Sequence, residues 1–270
     1  MIKLAVAGAA GRMGGRILTL ASADKDFRIV GALEHADHPN LGQDIGQHLG
    51  LKPMGVRIQK NPLEVFSKAD VVIDFTHHSV LPEHLKAALK AKKGYVIGTT
   101  GHNEQHLKAI KAASKSIAIV QSPNMSVGVN LLFKLAELAA KTLGDDYDLE
   151  ISETHHRMKK DSPSGTAVKL LEILAAARKK NIAKDAVYGR SGETGARPRG
   201  EIGVLALRGG DVVGDHTIFF LGDGERVELT HRASSRDAFA QGALRAAKFL
   251  ANRKSGLYDM QQVLGIASLS

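Results

Sequence analysis

Between Glu153 and Thr166 the chain reads Glu-Thr-His-His-Arg-Met-Lys-Lys-Asp-Ser-Pro-Ser-Gly-Thr, residue types that can do chemistry together. Imidazole exchanges protons near neutral pH. Lys159 adds an ammonium just beyond His155 and His156. Upstream, Tyr147, Leu149 and Ile151 alternate with Asp148, Glu150 and Ser152, the period of a half-buried strand. Downstream, Ala167, Leu170, Leu171 and Leu174 recur at helical spacing. The run therefore lies where a strand ends and a helix begins. Asp161 or Ser162 is expected to cap that helix, with Pro163 in its first turn. A helix N-terminus presents unpaired N–H groups and partial positive charge, which hold an anion. Gly165 would let a ligand approach the backbone there, and the Thr166 hydroxyl adds a donor. The expected chemistry is proton transfer beside a bound carboxylate. No metal is expected, because the two histidines are adjacent and no cysteine or His-x-x-x-His pair accompanies them.

The elements that position this run start at the N-terminus. Residues 3–7 read as a buried strand, followed by the turn Gly8, Ala9, Ala10, Gly11, Arg12, Met13, Gly14 and a helix carrying Ile17, Leu18 and Leu20. Strand, glycine turn and helix in this order form the phosphate-binding start of a Rossmann unit. The spacing is G-x-x-G-x-x-G rather than the commoner G-x-G-x-x-G. A second strand, 28–33, ends on Glu34, an acid placed to hold adenosine ribose hydroxyls. Further strands at 71–76, 95–101 and 117–124 alternate with helices at 78–91 and 103–114. Such alternation implies a doubly wound parallel sheet with ligands beyond the carboxyl ends of its strands. Asp74, Thr76, Thr99, Thr100 and Asn124 fall on that rim.

A helix over 129–141 then leads into the histidine run. Segments 201–207, 216–221 and 225–231 are short, separated by Gly/Asp turns, and read as a mixed or antiparallel sheet. Residues 191–200 read as an exposed loop, and the last long helix covers 236–253. The fold class is α/β: a Rossmann-type doubly wound parallel sheet plus a smaller α+β domain with a mixed sheet. Gly128, between the two halves, is a candidate hinge.

Composition narrows the classes. The 270 residues and 43% hydrophobic content support a proper core, and apolar stretches are strand-sized rather than membrane-spanning. Met1 leads directly into a strand, so no signal peptide is expected. With no cysteine, disulfides and thiolate chemistry are excluded, and a cytoplasmic location is expected. The net charge of +9 is spread along the chain, aromatic content is only 4%, and no nucleic-acid motif is present. A positive field that gathers small polyanions is the simpler reading.

Glu-x-His-His-x-x-Lys-x-Asp-x-Pro-Ser-Gly-Thr resembles the signature of the 4-hydroxy-tetrahydrodipicolinate reductase (dihydrodipicolinate reductase) family of bacterial lysine biosynthesis. The resemblance runs from the first strand to the Leu-Tyr-Asp-Met segment near the C-terminus. It implies NAD(P)H-dependent reduction of 4-hydroxy-tetrahydrodipicolinate to tetrahydrodipicolinate with loss of water. His155 matches the family's proton donor/acceptor and Lys159 its second proton donor. His156, Gly165 and Thr166 match positions that hold the substrate carboxylates. The turn from Gly8 to Met13 matches the pyrophosphate loop, and Glu34 the ribose-binding acid. Gly98, Thr99 and Thr100, with Ser122, Pro123, Asn124 and Met125, match loops that line the nicotinamide ribose and ring. Some members carry Phe where this chain has Met125.

The resemblance also implies a homotetramer built through the second domain. It places a dinucleotide-binding domain at 1–126 with 236–270, and a substrate-binding and tetramerisation domain at 127–235. Some members carry Arg directly after the ribose acid, where it grips a 2′-phosphate; this chain has His35, with His38 nearby. NADH and NADPH are both expected to serve, with NADH favoured. Another Rossmann oxidoreductase acting on an amino-acid precursor, such as a diaminopimelate or aspartate dehydrogenase, is a rival that the histidine run disfavours. A nucleotide-sensing DNA-binding regulator is a second, and no recognition helix supports it.

Overall fold

The apolar runs of the N-terminal half pair in parallel, as their near-continuous hydrophobicity requires of strands covered on both faces. These strands are β1 (Ile2–Ala7), β2 (Phe27–Leu33), β3 (Ile58–Gln59), β4 (Val71–Asp74), β5 (Gly94–Ile97) and β6 (Ala118–Gln121), joined near the chain's end by β12 (Gly256–Tyr258). Their order is β12-β6-β5-β4-β1-β2-β3, with every pairing parallel. On one face Ile17 and Leu18 of the helix Arg12–Ala23 pack with Ala243, Ala247 and Leu250 of the helix Asp237–Leu250. On the other, Val65, Phe66, Leu85 and Ile110 come from three further helices.

The computed structural model describes residues 1–267. They cluster into two compact units: Met1–Ser126 with Asp237–Leu264, and Val127–Arg236 with 265–267. Arg236 and 265–267 thus group with the second unit, whereas the sequence reading placed them with the first. Residues 268–270 lie outside the described residues. Gly128, read as a hinge, is already in the first turn of the helix Val127–Leu143. Among the described residues no helix is long and apolar enough to cross a membrane.

The second unit holds a five-stranded mixed sheet in the order β11-β10-β7-β9-β8. Its members are β7 (Asp148–His155), β8 (Ala186–Val187), β9 (Ile202–Arg208), β10 (Gly214–Leu221) and β11 (Arg226–Ala233). Central β7 runs antiparallel to β10 and parallel to β9. One face packs on Val129, Phe133 and Ala136 of the helix Val127–Leu143 and on Leu170, Leu171 and Leu174 of the helix Gly165–Ala177. The loop over 191–200 is mostly exposed as expected, yet Arg197 is anchored on Asp148 and Glu150.

One rim residue has a different role from the one its position suggested. Asp74 is 2% exposed. His84 Nδ1 lies 2.7 Å from its Oδ2, Tyr95 Oη donates to the same oxygen at 2.5 Å, and Thr76 Oγ1 donates to Oδ1 at 2.6 Å. Burial pushes the Asp74 carboxyl up, but the bonds from His84, Thr76 and Tyr95 outweigh it and hold it below its ordinary value. The side chain is a structural anion inside the rim. Replacing Tyr95 by Phe leaves that buried carboxylate one donor short, which costs about 1–3 kcal/mol. Urea unfolding of Tyr95→Phe is expected to show a lower midpoint at unchanged m-value.

Candidate active site

Strand β7 ends in an alternation that continues beyond the apolar positions: Leu149 and Ile151 are buried, and so are Glu153 and His155. Because strand side chains alternate between faces, the acid and the imidazole point to the same side as the core. Register fixes their neighbours. His155 lies opposite Arg208 of β9, while Glu153 lies opposite His216 of β10 and Ala206 of β9. The turn joining β9 to β10 is tied to the end of β7, since His156 N–H donates to Val212 O at 2.8 Å and Gly209 N–H to His155 O at 3.0 Å.

The Glu153 carboxylate has no side-chain exposure. Arg208 donates to both of its oxygens at 2.9 Å, and Ser164 N–H donates to Oε1 at 3.0 Å. His155 Nδ1 lies 2.5 Å from Oε2. Burial pushes the Glu153 carboxyl up, but these partners outweigh it and hold it below the usual range. Burial lowers His155 below the ordinary imidazole value, against the opposing pull of Glu153. His216 is lowered to about 3, chiefly by burial and then by the charge of His155. Its ring meets that of His155 edge-on at 5.1 Å, and its Nε2 lies 3.1 Å from Ser164 Oγ.

Lys159 follows on the loop after β7, with its ammonium 2.9 Å from both Asp161 carboxylate oxygens. Arg208 reaches the same loop and donates to Asp161 O at 2.7 Å. The helix after the loop is capped by Ser164, whose hydroxyl accepts from Ala167 N–H. This corrects the expected cap at Asp161 or Ser162: Pro163 precedes the helix instead of lying in its first turn. Gly165 is exposed with open space where a side chain would stand, while Thr166 is buried. His156 is half-buried beside the run. His155, Lys159 and the helix start are thus brought together. Glu153 was legible only as part of a motif, Arg208 looked like a turn residue, and His216 like a strand residue. For Glu153 the signal was the strand alternation, which puts it on the buried face.

In the first unit the glycine turn is shaped by close approaches. Gly8 has φ +73°, and a side chain at Gly14 would meet Gly8 O at 2.0 Å. Gly11 caps the helix Arg12–Ala23 with no side chain, and no acid occupies the first turn. Ala9 is buried and Ala10 and Met13 half-buried, whereas Gly11 and Arg12 are exposed. Glu34 reaches back to this turn and accepts from Ala10 N–H at 2.9 Å. Glu34, His35 and His38 bring ligand-type atoms within 4.8 Å of one another. A bare helix start with an acid at the next strand end has the donors and the acceptor that a dinucleotide needs.

The other loops are less open. A Cβ at Gly98 would meet the Phe75 ring at 2.2 Å, so its glycine serves packing. Thr99 is buried and its Oγ1 accepts from Thr76 N–H, while Thr100 is exposed. Ser122 is buried and donates to Asn124 O, Pro123 is exposed, and Asn124 accepts from Ser126 N–H. Met125 is 2% exposed within the core, so its side chain contributes packing there.

Residues 2–125 match the family described as dihydrodipicolinate reductase, N-terminus, and 128–264 the family described as dihydrodipicolinate reductase, C-terminus. The 4-hydroxy-tetrahydrodipicolinate reductase of Syntrophotalea carbinolica is 51% identical over 266 residues, covering 98% of this chain and all (100%) of its own. That of Polynucleobacter necessarius is 49% identical, covering 98% and 99%. A dipicolinate-bound dihydrodipicolinate reductase from Paenisporosarcina sp. TG-14 superposes with a TM-score of 0.74 at 25% identity, covering 97% of this chain and 98% of its own. An amine dehydrogenase from Mycobacterium smegmatis, 12% identical with a TM-score of 0.61 and coverage of 95% and 94%, shares the fold alone. With both halves matched and a relative half identical along its whole length, the chain belongs to the dihydrodipicolinate reductase family.

Proposed function

We propose that the protein reduces 4-hydroxy-tetrahydrodipicolinate to tetrahydrodipicolinate with NADH or NADPH and loss of water, in the diaminopimelate route to lysine. The observation that carries this reading is the meeting of His155, Lys159 and an open helix start within one short loop system. Reducing a conjugated imine leaves electron density that must take up a proton. His155 supplies and accepts protons at its outer nitrogen, and Lys159 Nζ is the second donor. His156, Gly165 and Thr166 hold the carboxylates of the small dicarboxylate substrate, drawing on the helix N-terminus.

The turn from Gly8 through Met13 holds the pyrophosphate, and Glu34, whose Oε1 accepts from Ala10 N–H and whose Oε2 accepts a longer 3.4 Å bond from His35 N–H, takes the ribose diol. Gly98, Thr99, Thr100, Ser122, Pro123, Asn124 and Met125 form the loops toward the nicotinamide. When bound, the nicotinamide supplies the hydride, and the protein supplies position and charge. The outer face of the second sheet shows Leu205 and Leu207, 51% and 45% exposed, which supports assembly of a homotetramer through that face. A cytoplasmic location fits a biosynthetic reductase of this kind. Assay of NAD(P)H oxidation with the product of a dihydrodipicolinate synthase tests the activity, and no oxidation with either cofactor would refute it.

His155→Gln is expected to lower kcat by about 10²- to 10⁴-fold, the usual worth of general acid–base assistance, with cofactor affinity little changed. Steady-state kinetics with cofactor titration by fluorescence checks both halves.

Lys159→Met is expected to reduce kcat/KM by about tenfold or more, since a charged hydrogen bond is worth about 1.5–3 kcal/mol. Lys160→Met serves as the control, because Lys160 is exposed and has no place in the motif. Greater damage at Lys160 would displace the motif assignment.

Cofactor choice follows from Glu34, whose charge repels a 2′-phosphate, and from His35, which lacks a guanidinium fork. NADH is therefore favoured. His35→Arg should move the kcat/KM ratio toward NADPH by about tenfold, the effect of one charge-assisted bond. A ratio untouched by the substitution would show that position 35 does not face the phosphate.

A further inference from the structure

The site contains an acid that the proposed chemistry does not use. Glu153 is wholly buried, and each of its contacts arrives from a different direction: Arg208 from β9, Ser164 N–H from the loop before the helix, His155 from its own strand. An ionised carboxylate only accepts hydrogen bonds. The 2.5 Å contact with His155 therefore places a proton on Nδ1. In a neutral imidazole the lone pair then lies on Nε2. On that side stands Gly214, the first residue of β10, where an added Cβ would come within 2.9 Å of His155 Nε2. The φ of Gly214 is not among the positive ones, so its backbone demands no glycine. What demands it is room at this nitrogen.

We propose that Glu153, kept ionised by Arg208, is a positioning residue that fixes His155 with Nδ1 protonated, so that Nε2 exchanges the proton in the space Gly214 leaves open. Arg208 has a second part in this arrangement. Its bond to Asp161 O ties the loop carrying Lys159 to the same carboxylate, so one buried anion sets both proton-handling groups. His216 bounds the ring edge-on and, held to about 3 by burial, stays neutral there. The proposal rests on the reading of His155 as the proton-transfer residue.

The test begins on the unaltered enzyme. Nitrogen-15 NMR of histidine-labelled protein, with His155 assigned by its loss in His155→Gln, should give a pyrrole-type signal at Nδ1 and a pyridine-type signal at Nε2. The opposite tautomer would overturn the proposal, whatever the kinetics. Glu153→Gln is expected to lower kcat by about 10²-fold with cofactor affinity retained. The ionised groups facing the ring are Glu153, Arg208 and Lys159, with His216 as the further titratable neighbour, and Glu153 is the one that raises the imidazole. Removing its charge should therefore move the limb of the pH–kcat profile that His155 sets, the one missing in His155→Gln, to lower pH. A smaller fraction of folded enzyme cannot shift that limb, so a fixed limb would refute the role. Gly214→Ala keeps the carboxylate pair and is expected to lose at least about tenfold in kcat at unchanged melting temperature; full activity would overturn the claim that Nε2 is the exchanging atom. If the tautomer is as expected while His155→Gln stays active, the positioning stands and the catalytic reading of His155 falls.

Discussion

A carboxylate cut off from water has to be neutralised where it stands, and in the second unit that requirement falls on Glu153. Leaving such a charge unpaired costs several kcal/mol. Arg208 meets it with two bonds, Ser164 N–H with a third and His155 with a fourth. Each partner belongs to a different piece of chain, so satisfying one charge fixes the end of β9, the loop before the helix and the ring on β7 in a single arrangement. The mixed order of the sheet makes this possible. Parallel β9 brings its carboxyl end beside that of β7, and antiparallel β10 brings its amino end to the same place.

Much of this was legible in advance, for reasons that particular residues make clear. The buried strands of the first unit announce themselves because both faces are covered, so residues 4–7 and 71–73 are apolar throughout. The glycine turn was readable because close backbone approach leaves no alternative at Gly14. Strand β12 was not, since three residues pairing at a sheet edge carry too little pattern to stand out. The helix start after Lys159 was placed too early because Asp161, Ser162 and Ser164 are all competent caps. Local preference does not decide among them; the hydrogen bond from Ser164 N–H to buried Glu153 is a tertiary contact, and it holds Ser164 where its hydroxyl can cap.

The same limit explains the site. His155 and Lys159 lie in one run, and a motif displays them. Arg208 and His216 are far along the chain from that run, and only strand register brings them to it. Asp74 shows the converse. A polar residue at the carboxyl end of a parallel strand falls on the rim where ligands bind, yet its oxygens are taken by His84, Tyr95 and Thr76. Strand position alone does not tell whether a rim acid faces outward.

Asp74 with His84 and Glu153 with His155 are chemically alike: each joins a buried carboxylate to an imidazole through Nδ1, at 2.7 and 2.5 Å. What would separate a structural pair from a proton-exchanging one must then lie outside the pair. Asp74 draws its remaining bonds from neutral hydroxyls and the Thr76 backbone, and the His84 ring, as buried as that of His155, meets Phe66 edge-on. Glu153 has a permanent cation in Arg208, so its charge is settled whether His155 is protonated or neutral. The imidazole is thereby free to change state without unbalancing the carboxylate beneath it. Gly214 adds to this by leaving the Nε2 side of His155 without a side chain from β10. Of these two pairs Glu153–His155 is the one that joins a permanent cation on the acid to a glycine beside the base, which is why the proton-exchange proposal falls on His155 rather than on His84.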